Sequence, residues 1–234
     1  MKELSHEFVG AFDIVMLYDI NMYMCFNINS RQMICMVYCN FTVIDVSNRN
    51  GVFNWDVVRK AGFEGTFIKA TQGADFQDNM FINNWNNAKQ SDMPLATYHF
   101  YEPGVSYISQ VNNFVNSLNS VQFNARSNAF ALFVEQAGKI SKAQYSDDIY
   151  GFITLLSNRW RQSPIFIHTN KTFWDENVDW KRHDFSKVPL WVAEYEVKSP
   201  TTLPGNWTSW AGWQYTDKGN INGINGFVGK SFWR

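Results

Sequence analysis

Two carboxylates stand at the ends of apolar runs. Asp45 lies near the end of Phe41-Thr-Val-Ile-Asp-Val, and Glu135 follows Ala129-Phe-Ala-Leu-Phe-Val134. A carboxyl group at the end of a buried strand loses hydration and needs a partner or a task. Two such groups can share general acid and base work, one giving a proton while the other balances developing positive charge or activates water. Glu135 is hard to explain as decoration, whereas Asp45 could also cap the polar turn Ser47–Gly51. Glu194 follows another apolar run and is a further candidate. Trp191 and Tyr195 flank Glu194, and Tyr98 and Trp213 lie in other apolar runs, in a chain with 20 Phe, 10 Tyr and 10 Trp. Such rings either fill a core or offer flat faces to a pyranose, and composition alone does not choose. His99 and His168 lack metal-ligand spacing and read as structural, so no metal or cofactor is expected. Lys69, inside a strand-like run, needs an interior carboxylate partner.

The elements that must position these groups alternate. Strand-like runs fall at Phe41–Val46, Gly65–Ala70, Leu95–Phe100, Ala129–Val134, Pro164–His168, Pro189–Ala193 and Trp210–Tyr215. Between the earlier ones lie helical spacings at Asn54–Gly62, Asn79–Gln90, Tyr107–Leu118 and Asp147–Arg161, and the helices thin out towards the end. Strands alternating with helices imply a parallel sheet or barrel. The pattern predicts an α/β fold, an irregular β/α barrel with helices missing in its C-terminal part. Carboxylates at strand ends then share the C-terminal face, where barrel sites form.

The length of 234 residues suits one large domain. The net charge of −1 and the lack of any basic run speak against nucleic acid as a partner. Residues 1–40 differ from the rest. They hold all three cysteines and six of the eight methionines, and no Trp or Pro. Asp13 and Asp19 interrupt the apolar stretch Phe8–Phe26, which argues against a membrane span. The start is not net positive, so a signal peptide fits poorly. A degenerate export signal, a strand-rich appendage and an extension upstream of the natural start all stay open. The division expected is 1–40 as an atypical extension and 41–234 as the working domain.

From Ile44 onward, ordered motifs resemble the glycoside hydrolase family 25 lysozymes. They are Ile44-Asp-Val-Ser with Asn50-Gly51 and Asn54-Trp55-Asp56, Ile68-Lys-Ala-Thr-Gln-Gly73, Asp78-x-x-Phe81, Tyr98-His-Phe100, Phe133-Val-Glu135, Pro164-Ile-Phe-Ile-His-Thr169 with Phe173-Trp174, Pro189-Leu-Trp-Val-Ala-x-Tyr195, and Trp213-Gln-Tyr-Thr216 with Gly223-Ile-Asn-Gly226. The resemblance covers residues 41–234. It implies a flattened, irregular TIM-like barrel and cleavage of the β-1,4 bond after N-acetylmuramic acid, with Glu135 and Asp45 catalytic. Tyr98, Trp191, Tyr195 and Trp213 are then expected to line the substrate site or fill the core, and Glu194 to reach the pocket, though the family places no catalytic group there. Peptidoglycan is the implied partner, outside the cell, for a monomer with no membrane insertion.

Two departures stand inside those motifs. The family pattern on the central strand is Asp-x-Glu, and here Phe133 holds the first place. An Asp of the last strand aligns with Gly229. The resemblance therefore allows two functions: a muramidase working with the two remaining carboxylates, or a peptidoglycan- or chitin-binding protein on the same scaffold that has lost turnover. A decayed copy without activity is a third.

Overall fold

In the computed structural model the described residues are 24–29, 32–36 and 41–234. The chain divides into two units, Met1–Cys39 and Asn40–Arg234. In the first, β1 (Met24–Asn29) and β2 (Gln32–Met36) pair antiparallel, with Met24 opposite Met36. The other readings made for residues 1–40 fall largely outside the described residues.

The second unit is a closed barrel. Its strands are β3 (Phe41–Val46), β4 (Gly65–Gln72), β6 (Leu95–Phe100), β7 (Ala129–Phe133), β8 (Ile165–Thr169), β9 (Leu190–Ala193), β10 (Gly212–Gly219) and β11 (Val228–Trp233), and a short β5 (Phe76–Gln77) folds back on β4. The order β3-β11-β10-β9-β8-β7-β6-β4 closes through β3–β4 pairing. The strands from β3 to β10 run parallel around the barrel, while β11 is antiparallel to both neighbours, β10 and β3.

Four helices match the spacing read from the sequence: α1 (Trp55–Lys60), α2 (Phe81–Gln90), α3 (Tyr107–Asn119) and α4 (Lys142–Arg159). Side-chain caps start three of them, Asn54 accepting from Asp56 N, Ser106 from Ser109 N and Ser141 from Gln144 N. Each satisfies an amide that the first helical turn leaves free. The Ser141 cap sets α4 going five residues before the expected Asp147. A short α5 (Lys171–Asn177), capped by Asn170, has no counterpart in the sequence pattern. Among the described residues no helix lies between β9 and β10 or between β10 and β11, the thinning that the sequence showed.

Alternation along each strand separates two cores. Ile44, Val46, Ile68, Phe130, Leu132, Val134, Ile165, Ile167, Leu190 and Val192 face outward and join helix residues such as Val58, Trp85, Phe114, Phe152 and Leu156 in one cluster. The alternate set points into the barrel. Phe67 stacks on Trp233 at 5.1 Å and lies 4.5 Å from Trp191, and Phe166 meets Trp233 edge-on at 4.7 Å. Above them Trp191 meets Phe133 at 5.1 Å and His168 at 4.4 Å, and Phe133 stacks on Tyr98 at 4.0 Å. Small inward residues, Ala96, Ala129, Ala131, Ala193 and Gly212, leave room for this column of rings. A Cβ on Gly212 would come within 2.7 Å of the Trp233 ring. The barrel is thus a packed core with its open end at the C-terminal face of the parallel strands.

Candidate active site

That open end gathers residues from strands all around the barrel. Asp45 lies near the end of β3 and faces inward. Glu135 follows β7, two residues beyond Phe133 and therefore on the same inward side. Asp45 is half-buried. Its Oδ2 accepts from Nε2 of Gln214 on β10 at 2.8 Å, and Gln214 Oε1 accepts from the Tyr195 hydroxyl at 2.6 Å. This chain of bonds fixes which end of the Gln214 amide faces the carboxylate. Burial raises the Asp45 pKa from 3.8 to about 6; His168 and the Gln214 hydrogen bond pull it down, and Glu135 and Asp217 push it up. Asp45 therefore becomes a full anion only above that pH.

Glu135 keeps 27% of its side chain exposed, and its Oε1 lies 3.0 Å from His168 Nε2. The approach is not aligned as a hydrogen bond, and among the described residues neither nitrogen of His168 has a hydrogen-bond partner. His168, read from the sequence as a satisfied structural residue, instead stands inside the barrel at the foot of Glu135. His99 fits the structural reading. It is held by Thr71 Oγ1 at 2.7 Å and Gln110 Oε1 at 3.0 Å, and burial lowers its pKa to about 4.

The other expected site residues separate into two groups. Tyr98 is 7% exposed and forms part of the floor. Burial, and after it the fields of Asp45, Asp78 and Glu135, raise its pKa far above the usual value, so it stays a protonated donor. Tyr195, 39% exposed at the rim, is also held protonated, by burial first and then by Glu135, Asp217 and Asp45. Trp191 and Trp213 correct the expectation. Trp191 has no exposed surface and donates Nε1 to Ser231 Oγ at 3.0 Å, so no face of it is free for a sugar. Trp213 is one residue out of phase with Gln214 and points out of the barrel, packing on Phe232 and donating to the Glu194 carbonyl at 2.7 Å. Glu194 also falls outside the site. Its carboxylate turns to Thr201, accepting from the amide at 3.0 Å and the hydroxyl at 2.7 Å.

Lys69 corrects a further expectation. Its amine donates to Gln72 Oε1 at 2.6 Å and lies 5.2 and 5.1 Å from the Phe76 and Phe100 ring centres, and among the described residues no carboxylate comes within ion-pair distance. Burial lowers its pKa, and Asp78 is the first group opposing that. Among the described residues, no three His, Cys, Asp or Glu side chains converge as a metal site.

Both departures from the family pattern have a packing consequence. Phe133 fills the place beside Glu135 with a ring clamped between Tyr98 and His168. Gly229 on β11 lies directly opposite Asp45 in register. A Cβ there would overlap Asp45 Oδ2 and come within 2.5 Å of Asp45 Cγ and Gln214 Nε2. The Asp45 carboxylate thus occupies the space that a side chain at 229 would need. Sequence reasoning missed Gln214, His168 and Asp217. The inward phase of β8 and β10 could have found the first two, and Asp217 acts through its charge from an exposed position.

Residues 44–224 match the model of glycosyl hydrolases family 25. The Escherichia coli protein YegX is 30% identical over 190 residues, 79% of this chain. Lysozyme M1 of Streptomyces globisporus is 27% identical over 194 residues, 80% of this chain. The chain spans 66% of the length of each of these relatives. The crystal structure of the bacterial lysozyme from Streptomyces coelicolor superposes with a TM-score of 0.74 at 26% identity, covering 84% of this chain and 93% of that one. With an eight-stranded barrel, two carboxylates at its open end and a family match over most of its length, this chain belongs to the glycosyl hydrolases of family 25.

Proposed function

We propose that the chain hydrolyses the β-1,4 bond after N-acetylmuramic acid in peptidoglycan, with Glu135 as general acid and Asp45 as the assisting carboxylate. The observation that carries this is the convergence of the two groups on the open end of one barrel, with Asp45 held by Gln214. Glycoside cleavage needs one carboxyl to protonate the departing oxygen and another to stabilise or attack the oxocarbenium-like centre, or to activate water. Glu135 keeps a water-accessible face for the first task. Asp45, ionised above about pH 6, supplies the negative charge for the second. Tyr98 offers a hydroxyl donor at the floor, while the Tyr195 hydroxyl at the rim is spent on orienting Gln214. The reading includes a monomer acting on the cell wall, outside the membrane; among the described residues no helix is long and apolar enough to cross one.

Release of reducing ends from purified peptidoglycan tests this. Glu135→Gln is expected to lose activity by a factor on the order of a hundred or more, the usual worth of a positioned acid. Equal release by the variant would remove Glu135 from the mechanism.

A second reading, wall binding without turnover, is favoured by Phe133, which puts a packed ring where a second inward carboxylate beside Glu135 would act. It predicts retention of the unaltered protein on insoluble wall with no new reducing ends.

A further inference from the structure

Glu135 stands in an incomplete environment. Two residues earlier on the same inward side, Phe133 brings a ring and no polar atom. Among the described residues the Glu135 carboxyl takes no hydrogen bond, and its one polar neighbour at ion-pair distance is Nε2 of His168, 3.0 Å from Oε1. His168 is fully enclosed on β8, with Phe133 4.1 Å and Trp191 4.4 Å from its ring centre. Among the described residues neither ring nitrogen has a hydrogen-bond partner. A buried imidazole that has lost water and gained nothing is costly, and such a group in a native fold asks for an explanation. Two nearby polar side chains are engaged elsewhere. Gln214 serves Asp45 and Tyr195, and Lys69 is bound to Gln72.

We propose that His168 is the positioning residue of Glu135, a proposal that rests on the reading of Glu135 as the acid. The Nε2–H of His168 donates to Oε1 and holds the carboxyl in one orientation, leaving Oε2 to carry the proton that goes to the departing oxygen. After that transfer the same N–H stabilises the carboxylate left behind. The 3.0 Å separation is within hydrogen-bond reach, and catalytic hydrogen bonds often align fully only with substrate in place. Phe133 and Trp191, which also touch each other, pack against the imidazole and restrict its turning.

Two variants and one spectrum test the proposal. His168→Phe keeps a ring in the aromatic column, and its melting temperature is expected to stay within about 4 °C of the unaltered protein. Its kcat should fall on the order of a hundredfold, the scale of a misplaced reacting group, with KM unchanged. His168→Gln restores a side-chain N–H and should recover most of the loss. A His168→Phe enzyme with unaltered kcat would overturn the proposal. Ring nitrogen NMR of the full chain at neutral pH reads the contact without turnover. The His168 proton is expected on Nε2, because the partner of a ring nitrogen sets the tautomer. In Glu135→Ala that preference should be lost; identical ring spectra in both proteins would overturn the proposal. If the unaltered protein releases no reducing ends, the hydrolytic reading fails, and the spectra still decide whether His168 engages Glu135.

Discussion

Replacing Asp45 by Asn should trade activity for stability, with a pH signature. The carboxyl binds its proton more tightly in the folded protein, at about 6 against 3.8. At about 1.36 kcal/mol per unit, the charged form carries a penalty of at most about 3 kcal/mol. Asp45 keeps a face towards water, so screening reduces this to about 1–2 kcal/mol. The direction follows from proton counting. Below about pH 4 both states are protonated and nothing is lost. Between about 4 and 6 the unfolded chain releases its proton first, so stability falls as pH rises, and above about 6 the loss is complete. The amide that Asp45→Asn introduces never ionises and still offers Gln214 an oxygen. We therefore expect Asp45→Asn to melt about 2–8 °C higher at pH 7.5, given the change per kcal/mol usual for a domain of this size. The gap should close at pH 4, where every other carboxylate contributes equally to both proteins. Reducing-end release by the variant should fall by orders of magnitude. Thermal unfolding at the two pH values is the assay. A variant that melts lower at pH 7.5, or a gap independent of pH, would refute the claim that burying this charge strains the fold.

Three further outcomes are expected. Gly229→Ala should push Asp45 off Gln214 because its Cβ overlaps both; activity should drop at least tenfold with a stability loss of about 1–3 kcal/mol, read by urea unfolding. Phe133→Asp, which would return a carboxylate to the strand, should lower stability by about 3–5 kcal/mol, because the ring is packed on Tyr98, His168 and Trp191; an unchanged urea midpoint would show the column is looser than its distances imply. Tyr195→Phe removes the donor that orients Gln214 and should cost about 1 kcal/mol while lowering kcat more than it alters KM, checked by steady-state kinetics beside a melting curve.

Much of the barrel is legible in the sequence because period-two and period-3.6 patterns are local properties. Trp55, Val58 and Ala61 announce α1, and the β-branched run ahead of Asp45 announces β3. The last strand is not legible. Val228-Gly-Lys-Ser-Phe-Trp breaks the apolar alternation, because Gly229 and Ser231 face inward where larger neighbours, Asp45 and Trp191, take the space. At the open end, Asp45 and Glu135 can be picked out because charge at the end of an apolar strand is locally anomalous. Trp191 and Trp213 cannot be sorted, since an indole reads alike whether it lies inside the barrel, outside it or at its rim; only the inward phase of β9 and β10 decides. The expected carboxylate partner of Lys69 came from a general rule about buried amines, and two rings with one amide answer that need instead. His168 escapes notice for a similar reason, because nothing local says that its ring nitrogens lack partners.

The pairing of β11 with β3 places the most distant barrel strands side by side, and Gly229 meets Asp45 on that seam. A chain emerging from the ribosome has Asp45, Glu135, His168 and Gln214 in hand while the barrel still lacks its final stave. Until β11 arrives, β10 and β3 each present a bare edge, the kind of edge that recruits strands from other molecules. Contacts so remote in sequence form slowly. The window of vulnerability therefore lasts until β11 docks, and resistance to proteases and the geometry around Asp45 should be acquired together, in one closing event.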